Sequence, residues 1–215
     1  MVGGPEITSM EDCCVYAIDA GPEDVVLIDS GLGLSYDSLV ENMLEARLDP
    51  RKLRFIIATH AHIDHVGGLS KFKRDYGPTV VAHSLDADAI EIGDAERLAL
   101  DLYGVDYEPC HVDLKLSRDV EILRIGDLEL TILHIPGHTP GSISIYLDVG
   151  GQRLLFGQDI HGPFSPRWGS NLDHWRKSME KLLQLDADIL LEGHFGVIQP
   201  ASAVKRFIED YLNII

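Results

Sequence analysis

The sequence predicts an α/β (α+β) fold of four layers, αββα, in which two sheets pack face to face and helices cover both outer surfaces. Three observations predict it. Short runs of β-branched and aliphatic residues bounded by turn residues occur in both halves of the chain, the mark of strands. In each half the strands come with amphipathic helices, enough to cover one outer sheet face per half. A length of 215 residues with 45% apolar content supports one substantial core, and no repeat, low-complexity tract or Pro/Gly-rich linker divides it. Residues 1–215 are therefore expected to form a single domain.

The elements follow in order. Strands are expected at residues 15–18 and 25–28, then an amphipathic helix at 36–47 that Pro50 ends. A strand at 54–58 runs into a polar loop, followed by a helix at 69–76 and a strand at 79–82, with Ser84 in the position of a helix N-cap. Residues 94–113 fit neither sheet and are expected to form an insertion covering a pocket. The second half shows strands at 120–123, 128–135, 142–147 and 154–157, a helix after Asp173, a short strand at 189–192 and a terminal helix at 201–212.

Composition narrows the function. A formal charge of −17 repels a phosphate backbone, so nucleic acid is not an expected partner. No apolar run approaches the ~20 residues that cross a bilayer, and residues 1–12 lack a basic segment followed by an apolar one, so no membrane partner and a cytoplasmic location are expected. The odd count of three cysteines argues against a disulfide framework, and Cys13 and Cys14 read as reduced, buried filler. The apolar tail from Tyr211 to Ile215 can dock on the domain itself or in a homodimer interface.

Thr59-His60-Ala61-His62-Ile63-Asp64-His65 sets three histidines and an aspartate into six residues directly after a strand. In an extended loop alternate residues point the same way, so His60 and His62 can share one cation while Asp64 and His65 turn to a neighbour. Three more candidates lie just past other strand ends: His138 in Pro136-Gly137-His138-Thr139-Pro140-Gly141, Asp159 in Gly157-Gln158-Asp159, and His194 in Glu192-Gly193-His194. Loops at one edge of a sheet are where sites assemble. Neutral imidazole and carboxylate suit zinc, and also iron or manganese. Of the remaining histidines, His83, His111, His134 and His174 read as ordinary, while His161, two residues from Asp159, can line the site but reads first as a solvated loop residue.

His-x-His-x-Asp-His followed in order by Pro-Gly-His, Gly-x-Asp and Gly-His resembles the metallo-β-lactamase superfamily over essentially the whole chain, and within it is similar to glyoxalase II (hydroxyacylglutathione hydrolase). The resemblance implies a first metal on His60, His62 and His138, a second on Asp64, His65 and His194, and Asp159 bridging them. It also implies that Asp29, aided by Thr59, supports the histidine loop from behind. Two divalent ions, zinc first, would hold and acidify a bridging water, and the hydroxide so formed would cleave a small thioester, ester or lactone, with Asp64 and Asp159 as the catalytic carboxylates. The substrate is then a small molecule. The alternative within the same superfamily is a persulfide (sulfur) dioxygenase with a single iron on the residues matching His60, His138 and Asp159. Tyr103, Tyr107, Phe164, Arg167 and Trp168 lie in segments that can wall a pocket, and as residue types they serve equally as packing or surface.

Overall fold

The computed structural model describes residues 1–215. Eleven strands fall into two sheets. The first contains β1 (Tyr16–Asp19), β2 (Val25–Ile28), β3 (Leu53–Ile57), β4 (Thr79–His83) and β5 (Leu114–Leu116), in that spatial order. β1 and β2 are antiparallel, and β2 through β5 run parallel. The second contains β6 (Val120–Ile125), β7 (Leu128–His134), β8 (Ile143–Val149), β9 (Gln152–Gln158), β10 (Ile189–Glu192) and β11 (Gly196–Ile198), ordered β11-β10-β9-β8-β7-β6. Its strands are antiparallel except for the β9/β10 pair.

Side chains alternate between the faces of a strand, and the apolar runs use both. Val26, Ile28, Ile57 and Val81 of the first sheet share one buried cluster with Ile132, Ile145, Phe156 and Leu191 of the second, which forms the interior between the sheets. Their neighbours Val25, Leu27, Ile56 and Val80 face outward. There they meet Leu39 and Met43 of α1 (Tyr36–Glu45), Leu69 and Phe72 of α3 (Leu69–Tyr76) and Ile90 of α4 (Ser84–Ile92). α2 is the single turn Ile63–Val66. On the other side Leu133, Leu155 and Leu190 pack beneath Trp175, Met179 and Leu182 of α6 (Leu172–Leu183) and Val204 and Ile208 of α7 (Ala201–Ile214). The four-layer αββα expectation is thus met. No helix is long and apolar enough to cross a membrane.

The departures are local. α1 stops at Glu45 because Arg47 takes a left-handed φ of 63°, and Pro50 opens a 3-10 turn, Pro50–Lys52, capped by the Asp49 carboxylate. The N-cap of α4 is His83, whose Nδ1 accepts from Leu85 N at 3.3 Å, and Ser84 is its first helical residue. β5 and β11, three residues each, were not expected from the sequence. The insertion carries one helical turn, α5 (Leu100–Tyr103), and is tied down where Ile63 N donates to Leu98 O at 2.9 Å.

Candidate metal centre

Asp29, directly after β2, is wholly buried and bent to a φ of 62°. Its Oδ1 accepts from Thr59 N at 2.7 Å, while Oδ2 accepts from Thr59 Oγ1 at 2.8 Å, His65 Nδ1 at 2.7 Å and the Gln158 amide. The Thr59 hydroxyl has one proton and gives it to Asp29, so at 3.2 Å it accepts from His60 Nδ1–H. That leaves the His60 Nε2 lone pair bare. His138 Nδ1 donates to Pro163 O at 2.7 Å, and His138 Nε2 is bare in the same way. The hydrogen bond from His65 Nδ1 to Asp29 likewise frees His65 Nε2.

These lone pairs converge. His60 Nε2 lies 3.1 Å from His62 Nδ1 and 3.2 Å from His138 Nε2, and His138 Nε2 lies 2.9 Å from His62 Nδ1. Asp159 Oδ2 stands 3.9 Å from His60 Nε2 and 3.6 Å from His138 Nε2. The same Oδ2 is 3.3 Å from His194 Nε2, and Oδ1 is 3.2 Å from His65 Nε2. Asp64 Oδ2 completes a second group, 3.5 Å from His65 Nε2 and 3.3 Å from His194 Nε2. All the side chains expected at the site are therefore brought together, in two groups with Asp159 between them.

Electrostatics fit the same use. Burial, then mutual repulsion, pushes the imidazoles of His62 down to about 3 and His60 well below its usual range, while burial takes His138 to about 4. All three stay neutral donors. Burial opposes charge on His65 and His194 as well, but the surrounding carboxylates prevail and raise both, His194 to about 10. Asp64 and Asp159 are held below the carboxylate range, because His65 and His194 outweigh the effect of burial. His65 Nε2 and Asp159 Oδ1 are buried with no hydrogen-bond partner, an arrangement that costs free energy unless a cation meets such groups. Crowded bare imidazole nitrogens beside an anionic oxygen are a donor set for divalent metals.

A cleft of about 180 Å³ opens beside the second group. Its wall includes Ala99, Leu102 and Tyr103 of the insertion together with Pro163 and Trp168, so the insertion does border the site. Burial and the nearby Asp64 charge push the Tyr103 hydroxyl pKa upward, leaving it a protonated donor. Trp168 stands edge-on to His62, with ring centres 4.6 Å apart. Arg167 is not in the wall but pairs with Glu96 at 3.1 Å and Asp101 at 2.7 Å, clipping the insertion to the Pro166–Trp168 turn. Tyr107 turns away to Ile90 O, and Phe164 packs on Trp175.

One expectation needs correction and two residues were missed. His161 is not a solvated loop histidine: its side chain is 16% exposed, lines the cleft, and bonds through Nδ1 to Glu192 at 2.7 Å. The rings of Phe195 and Tyr211 cover it. Cys13 is buried and free, as expected, but it sits against Asp29 and His65, where burial pushes its thiol pKa well up. Glu192, fully buried, also accepts from His194 N at 2.7 Å and Phe195 N at 3.0 Å and so shapes the His194 loop. Asp86, equally buried, bonds to both histidine loops. His83 and His134 stack on each other, with ring centres 3.9 Å apart, while His111 and His174 are at the surface.

Comparison with known proteins agrees with the geometry. The family model described as "Metallo-beta-lactamase superfamily" matches residues 11–194. An uncharacterized protein of Aquifex aeolicus is 33% identical over 213 residues, covering 93% of each chain. The human acyl-coenzyme A thioesterase MBLAC2 is 28% identical over 220 residues, covering 90% of this chain and 76% of its own. Among solved structures, the metallo-beta-lactamase of Cronobacter sakazakii with a HARLDQ motif superposes with a TM-score of 0.82 at 22% identity, covering 95% of this chain and 86% of that one. At that identity the likeness speaks to fold.

Proposed function

Because the chain belongs to the metallo-β-lactamase superfamily, we propose that it is a metal-dependent hydrolase that cleaves a small-molecule thioester, with acyl-coenzyme A or glutathione thioesters of the glyoxalase II kind as the first class to test. One observation carries the reading: donor atoms from four chain segments converge on two points that share Asp159. The likeness to an acyl-coenzyme A thioesterase over most of the chain directs it toward thioesters.

In this reading His60, His62, His138 and Asp159 hold one divalent cation, and Asp64, His65, His194 and Asp159 hold a second. When bound, these ions, zinc foremost for such donors, supply Lewis-acid polarisation of the substrate carbonyl and acidify a water toward neutral pH. The chain contributes the rest. Asp159, placed between the two groups, would also accept a hydrogen bond from the attacking water and set its direction. Trp168 shields the first group from bulk solvent. Ala99, Leu102 and Pro163 give the acyl portion an apolar wall, and Tyr103 offers a protonated hydroxyl near Asp64.

The test is turnover of a panel of acyl-coenzyme A, acyl-glutathione, simple ester and lactone substrates by protein loaded with zinc, alongside metal content by mass spectrometry. Two zinc ions per chain and thioester turnover that a chelator abolishes is the expected result. Two bound ions with no thioester turnover would sink the thioesterase reading. One iron per chain with oxygen consumption on persulfides would replace it with the dioxygenase.

Asp29 gives a second test of the centre. Asp29→Asn keeps the shape but turns an amide N–H₂ toward the protons of Thr59 or His65, so the orienting network is broken. Metal affinity, read by chelator competition, is expected to fall about 10–100-fold. Unchanged affinity would show that Asp29 does not orient the donors.

A further inference from the structure

We propose that Asp86 is a positioning residue that joins the His60–His62 loop, the His138 loop and the cleft-forming insertion into one mechanical unit; this rests on the metal centre proposed above. Asp86 lies in the first turn of α4 and is 1% exposed. A carboxylate so buried needs donors, and each of its donors comes from a segment that builds the site. Ala61 N, between His60 and His62, donates to Oδ2 at 3.1 Å. Thr139 Oγ1, next to His138, donates to the same oxygen at 2.6 Å, and Gly141 N donates to Oδ1 at 2.9 Å. Arg97 Nη2 in the insertion stands 3.5 Å from Oδ1.

A second observation comes from Gly141. A Cβ there would fall 2.6 Å from Asp86 Cγ, 2.7 Å from its Cβ and 2.7 Å from its backbone nitrogen. The Pro-Gly-His-Thr-Pro-Gly loop thus seats its backbone directly on Asp86, and the final glycine of that motif is required by this contact rather than by its own φ. The insertion is held on the same line, since Ile63 N, just after His62, donates to Leu98 O, one residue past Arg97.

His60, His62 and His138 must keep their nitrogens within about 3 Å of one another although their loops are 76 to 78 residues apart in sequence. Main-chain contact between the loops is sparse, with Ile143 N donating to Thr59 O at 2.9 Å. Asp86 supplies a charged strut from each loop to a third element, α4, whose own packing fixes it through Ala87 and Ile90. Through Arg97 the strut also reaches the wall that carries Ala99, Leu102 and Tyr103.

The experiment uses the full chain loaded with cobalt(II) alone, whose visible spectrum reports the ligand geometry, and measures cobalt affinity by chelator competition. Asp86→Asn puts an amide N–H₂ against either Gly141 N or the Ala61 and Thr139 donors. It is expected to weaken cobalt binding about 10–100-fold and to shift the spectrum. Thr139→Val, which removes one donor without altering the carboxylate, should shift the spectrum in the same sense by less. Arg97→Met should raise KM for a turned-over thioester while leaving the cobalt spectrum as in wild type, because only the arm to the insertion is cut. If Asp86→Asn does not fold, Thr139→Val and Arg97→Met decide. Wild-type affinity and spectrum in folded Asp86→Asn, or in Thr139→Val where that variant decides, would overturn the proposal. Wild-type protein that takes up no cobalt would instead overturn the metal centre itself.

Discussion

Asp159→Ala is expected to lower kcat/KM for thioester hydrolysis by at least about a thousandfold, which corresponds to roughly 4 kcal/mol of lost transition-state stabilisation. The magnitude follows from its place between the groups. Its two oxygens approach His60, His138, His194 and His65 within 3.2 to 3.9 Å, so one substitution removes a donor from both proposed cations and the acceptor that aims the water. His138→Ala removes a donor from one group only and should abolish activity by emptying the first position while the second retains metal. Metal analysis separates the two: Asp159→Ala should hold neither ion tightly, whereas His138→Ala should keep one. The fold should survive in both, because these side chains lie at loop ends outside the three apolar clusters, and far-ultraviolet circular dichroism checks this. Turnover at the wild-type rate in either variant would refute the assignment of its residue.

The parts of the site that were legible in the sequence are those whose partners are near in the chain or whose residue type is itself the chemistry. His60, His62, Asp64 and His65 announce a cation because four donors in six residues have little other use. His138, Asp159 and His194 were placed by lying just beyond strands whose alternation is plain: Leu133 and Leu155 face one way and Ile132 and Phe156 the other. β5 and β11 were not legible, because three residues cannot display a period of two. Asp86 and Glu192 were missed for another reason. An aspartate in a helix reads as surface, and what makes Asp86 structural is contact with Thr139 and Gly141, 53 and 55 residues away. His161 was misread because solvation is a property of the neighbours, here Phe195 and Tyr211, which the fold brings from other segments. The same limit kept Tyr103 and Trp168, which border the cleft, from being told apart from Tyr107 and Phe164, which do not.

Gly137→Ala is expected to cost about 4 kcal/mol or more of stability, in the range reserved for named structural faults. Gly137 has a φ of +150°, and a Cβ on it would fall 2.4 Å from Trp175 Cα, 2.4 Å from Trp175 Cβ and 2.6 Å from Trp175 N. These are mostly backbone atoms of α6, so no side-chain rotation relieves the clash; either the loop or the helix must move. The helix resists, because Asn171 N donates to Gly137 O at 2.8 Å and Trp175 Nε1 to Ile160 O at 2.8 Å, with Trp175 1% exposed in the outer core. The loop resists less, and it carries His138. For a chain of this size, each kcal/mol moves Tm by about 2–4 °C, so a fall of roughly 8–16 °C is expected by scanning calorimetry, together with loss of metal from the first group. Gly150→Ala is the matched control: it also has a positive φ, of 60°, but nothing lies within 4 Å of its added Cβ, so only about 1 kcal/mol of backbone strain should appear. If the two variants melted within about 2 °C of each other, the close seating of the His138 loop on α6 would be wrong, and with it the reason His138 points where it does.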